Sequence, residues 1–249
     1  MKKIIKIFEN TDQMAAGIAE ELRSAVNAAE KDYSLALSGG STPVPLFEKL
    51  AQEPYRSTIQ WAKVQIFWAD ERCVPPDSAE SNYGMADRLF LNKIDIPEGN
   101  VHRIHGEADP RGESLRYSGI LREIHKTSEG IPRLDLILLG MGTDGHMASL
   151  FPDSDNLKER EKLCVVARHP QSGQPRISLT LPVINNAARV WFMISGKDKN
   201  KITAKVIAGG ESAGRYPAGR VNPENGELHW YLDKPAAEGL NRKIAAEAE

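Results

Sequence analysis

Seven short runs of apolar residues recur along the chain at the length of β-strands. Several are apolar at every position rather than at alternate positions, which is typical of strands covered on both faces, as in a mostly parallel sheet. The predicted strands are residues 33–38, 64–69, 134–140, 163–167, 176–181, 190–195 and 228–232.

Segments with helical periodicity lie between most of these strands. In residues 12–30, apolar side chains recur at four-residue steps from Met14 to Val26, and Asp12 is the expected N-cap. The other predicted helices are residues 43–52, 82–91, 110–127, 198–208 and 236–247. This alternation of strand and helix predicts the α/β class.

The chain length fits one large α/β domain. The sequence has 249 residues and shows no internal repeat or low-complexity linker. We therefore predict a single domain over residues 1–249. Residues 70–110 are rich in proline and glycine and are expected to form either a subdomain or a flap over the edge of the sheet.

The net charge and the cysteines indicate which partners the protein does not bind and in which compartment it is found. A formal net charge of -2 argues against nonspecific electrostatic binding to nucleic acid or to an anionic membrane. Cys73 and Cys164 form no C-x-x-C pattern, which fits a reducing compartment. No signal peptide is recognisable, and no apolar stretch reaches the ~18 residues of a membrane span. We expect a cytoplasmic protein that binds neither nucleic acid nor membrane.

Small or ionisable residues directly follow four of the predicted strands. The carboxyl ends of parallel strands meet at one edge of a sheet, where ligands bind, so we expect these segments to converge in space. They are residues 39–42 (Gly-Gly-Ser-Thr), 70–72 (Asp-Glu-Arg), 142–146 (Gly-Thr-Asp-Gly-His) and 196–199 (Gly-Lys-Asp-Lys).

The first segment has the features of a phosphate site. Gly39 and Gly40 let backbone N–H groups approach a ligand, and Ser41 and Thr42 add hydroxyl groups. A helix that opens at Pro43 after a Thr42 cap would point its positive end at the same place. An ordinary strand-to-helix turn with a threonine cap is the alternative. No lysine follows the glycines, so the segment is not a Walker A loop.

A literal G-x-G-x-x-G stands at Gly140, Gly142 and Gly145. In a dinucleotide-binding turn this pattern opens a long helix, and an acidic residue after the next strand holds a ribose. Here Pro152 leaves room for at most two helical turns, and the strand at 163–167 ends without an acidic residue. We therefore expect no dinucleotide site.

The same glycines can instead form a tight turn that presents Asp144 and His146 at the top of the sheet. Histidine is the side chain type that most readily exchanges a proton near neutral pH, so it is the natural general base for activating water. An aspartate two residues away can fix its tautomer. A capped turn around a buried, hydrogen-bonded histidine is the alternative.

Basic residues near the strand ends suggest an anionic ligand. Lys197 and Lys199 lie at a helix N-terminus, where their charges oppose the helix dipole. Either a bound anion offsets this cost or the lysines are only solvated. Arg176 begins a strand, and a guanidinium group can donate two parallel hydrogen bonds to the oxygens of a phosphate.

Asp70 and Arg72 follow the strand at 64–69 directly. Asp70 could orient a partner group, and Arg72 could stabilise developing negative charge; a surface salt-bridge cluster is the alternative. His102 and His105 have H-x-x-H spacing, but their rings are expected to diverge, and no cysteine or glutamate supports a zinc site there. We expect no metal.

Five blocks that contain these residues resemble the 6-phosphogluconolactonases, within the wider group of glucosamine-6-phosphate isomerase/deaminase-like proteins. They are LALSGGSTP, WADERCVP with SNYGMA after it, LDLILLGMGTDGHMASLFP, RISLTLPVINNA and ISGKDKN, in family order from Ser34 to about Lys201. Met147 is a departure, because a threonine more usually follows the histidine; we expect it to adjust packing rather than chemistry.

The resemblance implies a fold and a reaction. The fold is a Rossmann-like three-layer α/β/α sandwich with a mostly parallel sheet and no dinucleotide site. The reaction is hydrolysis of 6-phospho-D-glucono-1,5-lactone to 6-phospho-D-gluconate in the pentose phosphate pathway, with no metal or organic cofactor. The implied partner is a small sugar phosphate, and we expect a monomer or a weak homo-oligomer.

The resemblance also implies residue roles. His146 would act as general base on a water molecule, Asp144 would orient His146, and Arg72 would lie near the lactone carbonyl. Asp70 would hold Arg72 or the sugar hydroxyls. The implied phosphate-binding residues are Gly39, Gly40, Ser41, Thr42, Arg176 and Lys199, the last chosen over Lys197 because the family pattern is Gly-x-x-Lys.

Two alternatives remain open. A glucosamine-6-phosphate deaminase/isomerase would share the phosphate loop and the Asp-Gly-His turn, but it expects Asp-Glu-Tyr at residues 70–72 and an acidic residue soon after the histidine. This chain has Ser-Leu-Phe-Pro at 149–152. The second alternative is a non-catalytic sugar-phosphate sensor; no appended DNA-binding module is visible to support it.

Overall fold

The computed structural model describes residues 2–125 and 130–240. Its strands are β1 (Lys2–Phe8), β2 (Tyr33–Leu37), β3 (Val64–Trp68), β4 (Asp70–Arg72), β5 (Leu136–Leu139), β6 (Cys164–Arg168), β7 (Pro175–Leu179), β8 (Arg189–Ile194) and β9 (Glu227–Asp233). Its α-helices are α1 (Thr11–Ala28), α2 (Val44–Leu50), α3 (Tyr55–Thr58), α4 (Asn82–Leu89), α5 (Pro110–Ile124), α6 (Leu181–Asn186), α7 (Asn200–Ala208), α8 (Gly210–Ala213) and α9 (Lys234–Ala237).

A six-stranded sheet forms the centre of the fold, in the order β1-β9-β8-β5-β2-β3. Every pairing within it is parallel, and helices cover both sides. All residues of β2 and of β5 are buried, as expected for strands covered on both faces. The predicted α/β class with a mostly parallel sheet is confirmed.

A second, three-stranded antiparallel sheet has the order β4-β7-β6. The predicted strands at 163–167 and 176–181 therefore do not belong to the parallel sheet. Ala69 joins the two sheets, because its N–H donates to Leu37 of β2 and its carbonyl accepts from Leu179 of β7, each over 2.8 Å. The chain thus passes from β3 directly into β4 and carries residues 70–72 out of the end of the central sheet.

Two helix starts differ from the prediction. The N-cap of α1 is Asn10, whose side chain accepts from the Gln13 N–H at 2.9 Å, rather than Asp12. Helix α2 begins at Val44, and the Thr42 side chain does not cap it. Thr42 is buried and its hydroxyl faces the cleft described below. Of the predicted helices 110–127 and 236–247, residues 126–127 and 241–247 lie outside the described part of the chain.

Residues 70–110 share the hydrophobic core of the central sheet. Phe90, which follows α4, is fully buried and stacks on Phe47 of α2 with ring centroids 4.9 Å apart. Ile104 is buried in the same cluster. Among the described helices, none is both long enough and apolar enough to cross a membrane.

Candidate active site

A polar cleft of about 190 Å³ opens at the carboxyl ends of β2, β5 and β8, beside β4 and β7. The four segments that the sequence singled out meet there. Every predicted site residue lines this cleft except Asp144, which contacts His146 from outside it. The lining residues are Ser38, Gly39, Gly40, Ser41, Thr42, Asp70, Arg72, Asn82, Gly140, Met141, Gly142, His146, Ala148, Arg176 and Lys199.

The loop after β2 presents backbone donors to the cleft. The Ser38 hydroxyl donates to the carbonyl of Leu138 at 2.9 Å, which ties the start of this loop to β5. Gly40 has a φ of +95°, a conformation that glycine adopts without strain. The N–H groups of Gly40, Ser41 and Thr42 donate to no acceptor in residues 2–125 and 130–240. These N–H groups are free to donate to a ligand oxygen.

Lys199 reaches the same loop from the other side. Its Nζ lies 3.5 Å from Thr42 Oγ1, and burial lowers the pKa of its ammonium group. Lys199 is half-buried, and the charges of Asp198 and Asp233 only partly offset the effect of burial on its pKa. A bound anion would favour the charged form further. Lys197 points elsewhere, with its exposed Nζ 3.6 Å from Glu238 Oε2.

Arg72 and Arg176 stand opposite each other across the β4–β7 pairing. The Nε atoms of both are buried and have no hydrogen-bond partner in the described residues. Burial, and then the positive charge of Arg72, lower the pKa of Arg176. Like charges that face each other across two strands are destabilising. An anion bound next to Arg176 would weaken that repulsion.

His146 and Asp144 form a directed pair. His146 Nδ1 lies 2.6 Å from Asp144 Oδ1, which also accepts from the His146 N–H at 3.1 Å. Partial burial raises the pKa of Asp144, but the hydrogen bonds from the His146 ring and backbone outweigh it, so this pKa is below its ordinary value. An ionised carboxylate only accepts hydrogen bonds, so Nδ1 carries the ring proton and Nε2 is left as the basic atom.

Gly142 and Phe151 hold the imidazole between them. A Cβ at Gly142 would stand 2.2 Å from His146 Nδ1 and 2.6 Å from Asp144 Oδ1. The Phe151 ring packs against the imidazole, with centroids 5.0 Å apart. Gly142 of the G-x-G-x-x-G therefore leaves room for the His146–Asp144 pair. That Gly142 makes room for the ring itself did not follow from the sequence.

We expect Gly142→Ala to lower kcat on the substrate proposed below by at least about tenfold. Its methyl group would push the imidazole away from Asp144, and small displacements of a catalytic group are costly. Steady-state kinetics measure this effect. The control is Gly119→Ala on the exposed face of α5, where a Cβ meets nothing within 4 Å; it should leave kcat unchanged and raise thermal stability slightly. Equal kcat values for the two variants would contradict the assignment.

Asn82 lines the cleft but received no role from the sequence. Its side-chain Nδ2 donates to the main-chain oxygen of Asp70 at 2.8 Å. Asn82 belongs to the SNYGMA segment, which contributed to the family resemblance but did not indicate what the Asn82 side chain contacts. Asp70 is buried and accepts from the Ser149 hydroxyl at 2.6 Å rather than from Arg72.

His102 and His105 have separate partners. His102 Nε2 lies 2.7 Å from Gln65 Oε1, and the main-chain N–H of His105 donates to Glu113 Oε1 at 2.7 Å. Within the described residues, no group of three or more histidine, cysteine, aspartate or glutamate side chains is arranged to hold a metal ion.

Comparison with known proteins assigns the family. The family described as glucosamine-6-phosphate isomerases/6-phosphogluconolactonase matches residues 9–230. The 6-phosphogluconolactonase of Aggregatibacter actinomycetemcomitans is 43% identical over 206 residues, which cover 83% of this chain and 87% of that protein.

Solved structures agree with this assignment and with the Rossmann-like fold. The crystal structure of devB protein has a TM-score of 0.91 and 39% identity, and the match covers 96% of this chain and 100% of that one. The 6-phosphogluconolactonase from Trypanosoma cruzi has a TM-score of 0.85 and 27% identity, over 96% and 97% of the two chains. The resemblance inferred from the sequence is confirmed, and the chain belongs to the glucosamine-6-phosphate isomerase/6-phosphogluconolactonase family.

Proposed function

We propose that this protein hydrolyses 6-phospho-D-glucono-1,5-lactone to 6-phospho-D-gluconate, as the names of its relatives suggest. One observation carries the proposal: His146, with Nδ1 held by Asp144, faces the same cleft as the N–H groups of residues 39–42. The substrate has a phosphate at one end and an ester carbonyl at the other. A cleft with an anion site at one end and a base at the other fits both.

The phosphate would bind at the loop after β2. The N–H groups of Gly40, Ser41 and Thr42 supply donors, and Lys199 and Arg176 supply the countercharge. The loop follows β2 and Lys199 follows β8, both in the parallel sheet, whereas Arg176 lies on β7 of the antiparallel sheet. Their convergence therefore depends on both sheets. The phosphate would thus fix one end of the sugar and carry C1 towards His146.

Hydrolysis would proceed by general base catalysis. His146 Nε2 takes a proton from a water molecule as the water oxygen bonds to C1 of the lactone. The C1–O bond of the ring then breaks, and the imidazolium returns the proton to the departing ring oxygen. Arg72 would stabilise the negative charge that develops on the carbonyl oxygen. Asp144 stabilises the imidazolium that forms between the two proton transfers.

The test of this proposal is a direct assay. The lactone is generated from glucose 6-phosphate, and its disappearance is followed with and without the protein. Acceleration over the spontaneous rate at micromolar protein supports the proposal, whereas an unchanged rate overturns it. Glucosamine 6-phosphate serves as the control substrate. We expect no ammonia from it, because no carboxylate follows His146 within residues 147–152.

Lys199 should make phosphate binding sensitive to alkaline pH. Burial lowers the pKa of Lys199, so its charge is lost at a lower pH than that of an ordinary lysine. The affinity for inorganic phosphate should therefore fall as the pH rises from neutrality towards the ordinary pKa of lysine, about 10.4. Lys199→Arg should abolish that fall, because a guanidinium stays charged. Calorimetry over this range measures the effect.

The control for this experiment is Lys197→Arg. The Lys197 ammonium pairs with Glu238 and does not line the cleft, so the pH profile of this variant should match that of the unmodified protein. A profile that Lys199→Arg leaves unchanged would remove Lys199 from the phosphate site.

The proposal also covers the compartment, the oligomeric state and the partners of the enzyme. It would act in the cytoplasm, as a monomer or a weak homo-oligomer, on a free sugar phosphate rather than on nucleic acid. The two free cysteines, Cys73 and Cys164, support a reducing compartment.

A further inference from the structure

Three buried polar side chains connect the loop after β2 with the turn that carries His146. Ser149 is completely buried, and its hydroxyl donates to Asp70 Oδ2 at 2.6 Å. Asp70 is 5% exposed and Asn82 is 2% exposed. Asn82 Nδ2 donates to the Asp70 main-chain oxygen at 2.8 Å and lies 3.5 Å from Asp70 Oδ1. We call these three residues the buried bridge.

One end of the buried bridge supports the phosphate loop. A Cβ added to Gly39 would stand 1.7 Å from Asn82 Oδ1, so the Asn82 amide packs directly against the Gly39 backbone. Asn82 is itself fixed, because its N–H donates to the buried Glu71 carboxylate at 2.7 Å. Its Oδ1 is buried without a hydrogen-bond partner in the described residues. A buried amide oxygen is costly to leave unpaired, so the packing of Asn82 against Gly39 does not add a hydrogen bond to the stability of the fold.

The other end supports the turn that carries His146. Ser149 follows the imidazole by three residues, and its N–H donates to the Ser178 hydroxyl at 3.2 Å. Between them, Ala148 has a φ of +47°, which costs free energy for a residue with a side chain. Such a conformation persists only where the surroundings hold it. The hydrogen bond from Ser149 to Asp70 restrains the residue that directly follows Ala148.

We propose that the buried bridge is a positioning device that fixes the distance between the general base and the phosphate cradle. This inference rests on the function proposed above. Ser149 acts through His146, and Asn82 acts through the loop at Gly39. Asp70 joins them, so its carboxylate works by holding protein groups rather than by binding sugar hydroxyls.

The bridge predicts two different kinetic defects. Ser149→Ala releases the catalytic turn, so kcat should fall about tenfold or more, whereas the Kd for inorganic phosphate stays within about twofold. Asn82→Ala releases the phosphate loop, so KM and that Kd should rise about tenfold while kcat changes little. A loss of stability alone would not lower kcat in one variant and raise KM and Kd in the other.

Ser118→Ala is the matched control for Ser149→Ala. Ser118 is also a buried serine whose hydroxyl donates a short hydrogen bond, here to the Ser114 carbonyl at 2.7 Å within α5, and it does not line the cleft. This variant should lose some thermal stability and keep kcat and KM. Should Ser149→Ala fail to fold, Ser149→Cys keeps a weaker donor of similar size and carries the same test.

The inference and the proposed function fail in different ways. If the unmodified protein does not accelerate lactone hydrolysis, the proposed function falls, but the phosphate Kd of Asn82→Ala still tests the bridge. The inference is overturned if Asn82→Ala binds inorganic phosphate as the unmodified protein does. It is also overturned if the protein is active and Ser149→Ala keeps its kcat, or if Ser149→Ala and Ser118→Ala lose kcat equally.

Discussion

Replacing His146 with alanine should lower kcat for lactone hydrolysis by about 10²- to 10⁴-fold, the usual contribution of general acid–base catalysis. The Kd for inorganic phosphate should stay within about twofold, because the imidazole ring is held by Gly142, Asp144 and Phe151 rather than by the loop after β2. Rates with the lactone generated in situ, corrected for spontaneous hydrolysis, and calorimetry with phosphate measure the two quantities.

His169→Ala is the matched control. The His169 ring contacts Phe151 edge-on, with centroids 5.3 Å apart, and the His146 ring contacts the same phenylalanine in a tilted arrangement. His169 does not line the cleft, so kcat should stay within about twofold of the unmodified protein. If His146→Ala kept more than a tenth of the original kcat, the base would lie elsewhere.

The sequence was sufficient for the fold class because the inner strands of the central sheet, such as β2 and β5, are buried along their whole length. Almost continuous apolar runs such as 190–195 mark strands of this kind without reference to their neighbours. The edge strand β1 did not stand out, since lysines interrupt its apolar residues. Strand β4 was missed because it has only the three residues Asp-Glu-Arg, and its pairing with β7 depends on distant parts of the chain.

The convergence of the site was predictable from one rule about parallel sheets. The Gly-Gly-Ser-Thr, Asp-Glu-Arg, Asp-Gly-His and Gly-Lys-Asp-Lys segments each follow an apolar strand, so their meeting at one edge required only the order of elements. Contacts made through the core could not be predicted in this way. The Ser149–Asp70 bond joins residues 79 positions apart, and nothing near either residue in the sequence indicates the other.

Arg176→Ala should raise KM and the Kd for inorganic phosphate by about 10- to 100-fold and leave kcat within a few-fold, since a hydrogen bond to a charged group contributes about 1.5–3 kcal/mol. The same change removes the like charge opposite Arg72. Thermal unfolding without anions should therefore occur at an equal or higher temperature than in the unmodified protein, and added phosphate should stabilise the variant less.

Arg168→Ala is the control, because this exposed arginine lies on the neighbouring strand β6, and its Nη1 donates to the Gly173 carbonyl rather than facing the cleft. It should leave KM and kcat unchanged. Arg72→Ala should have the opposite effect to Arg176→Ala, reducing kcat more than it raises KM. If Arg176→Ala instead lowered kcat at constant KM, the two guanidinium groups would have exchanged roles. Arg176 would then face the carbonyl oxygen, and Arg72 would bind the phosphate.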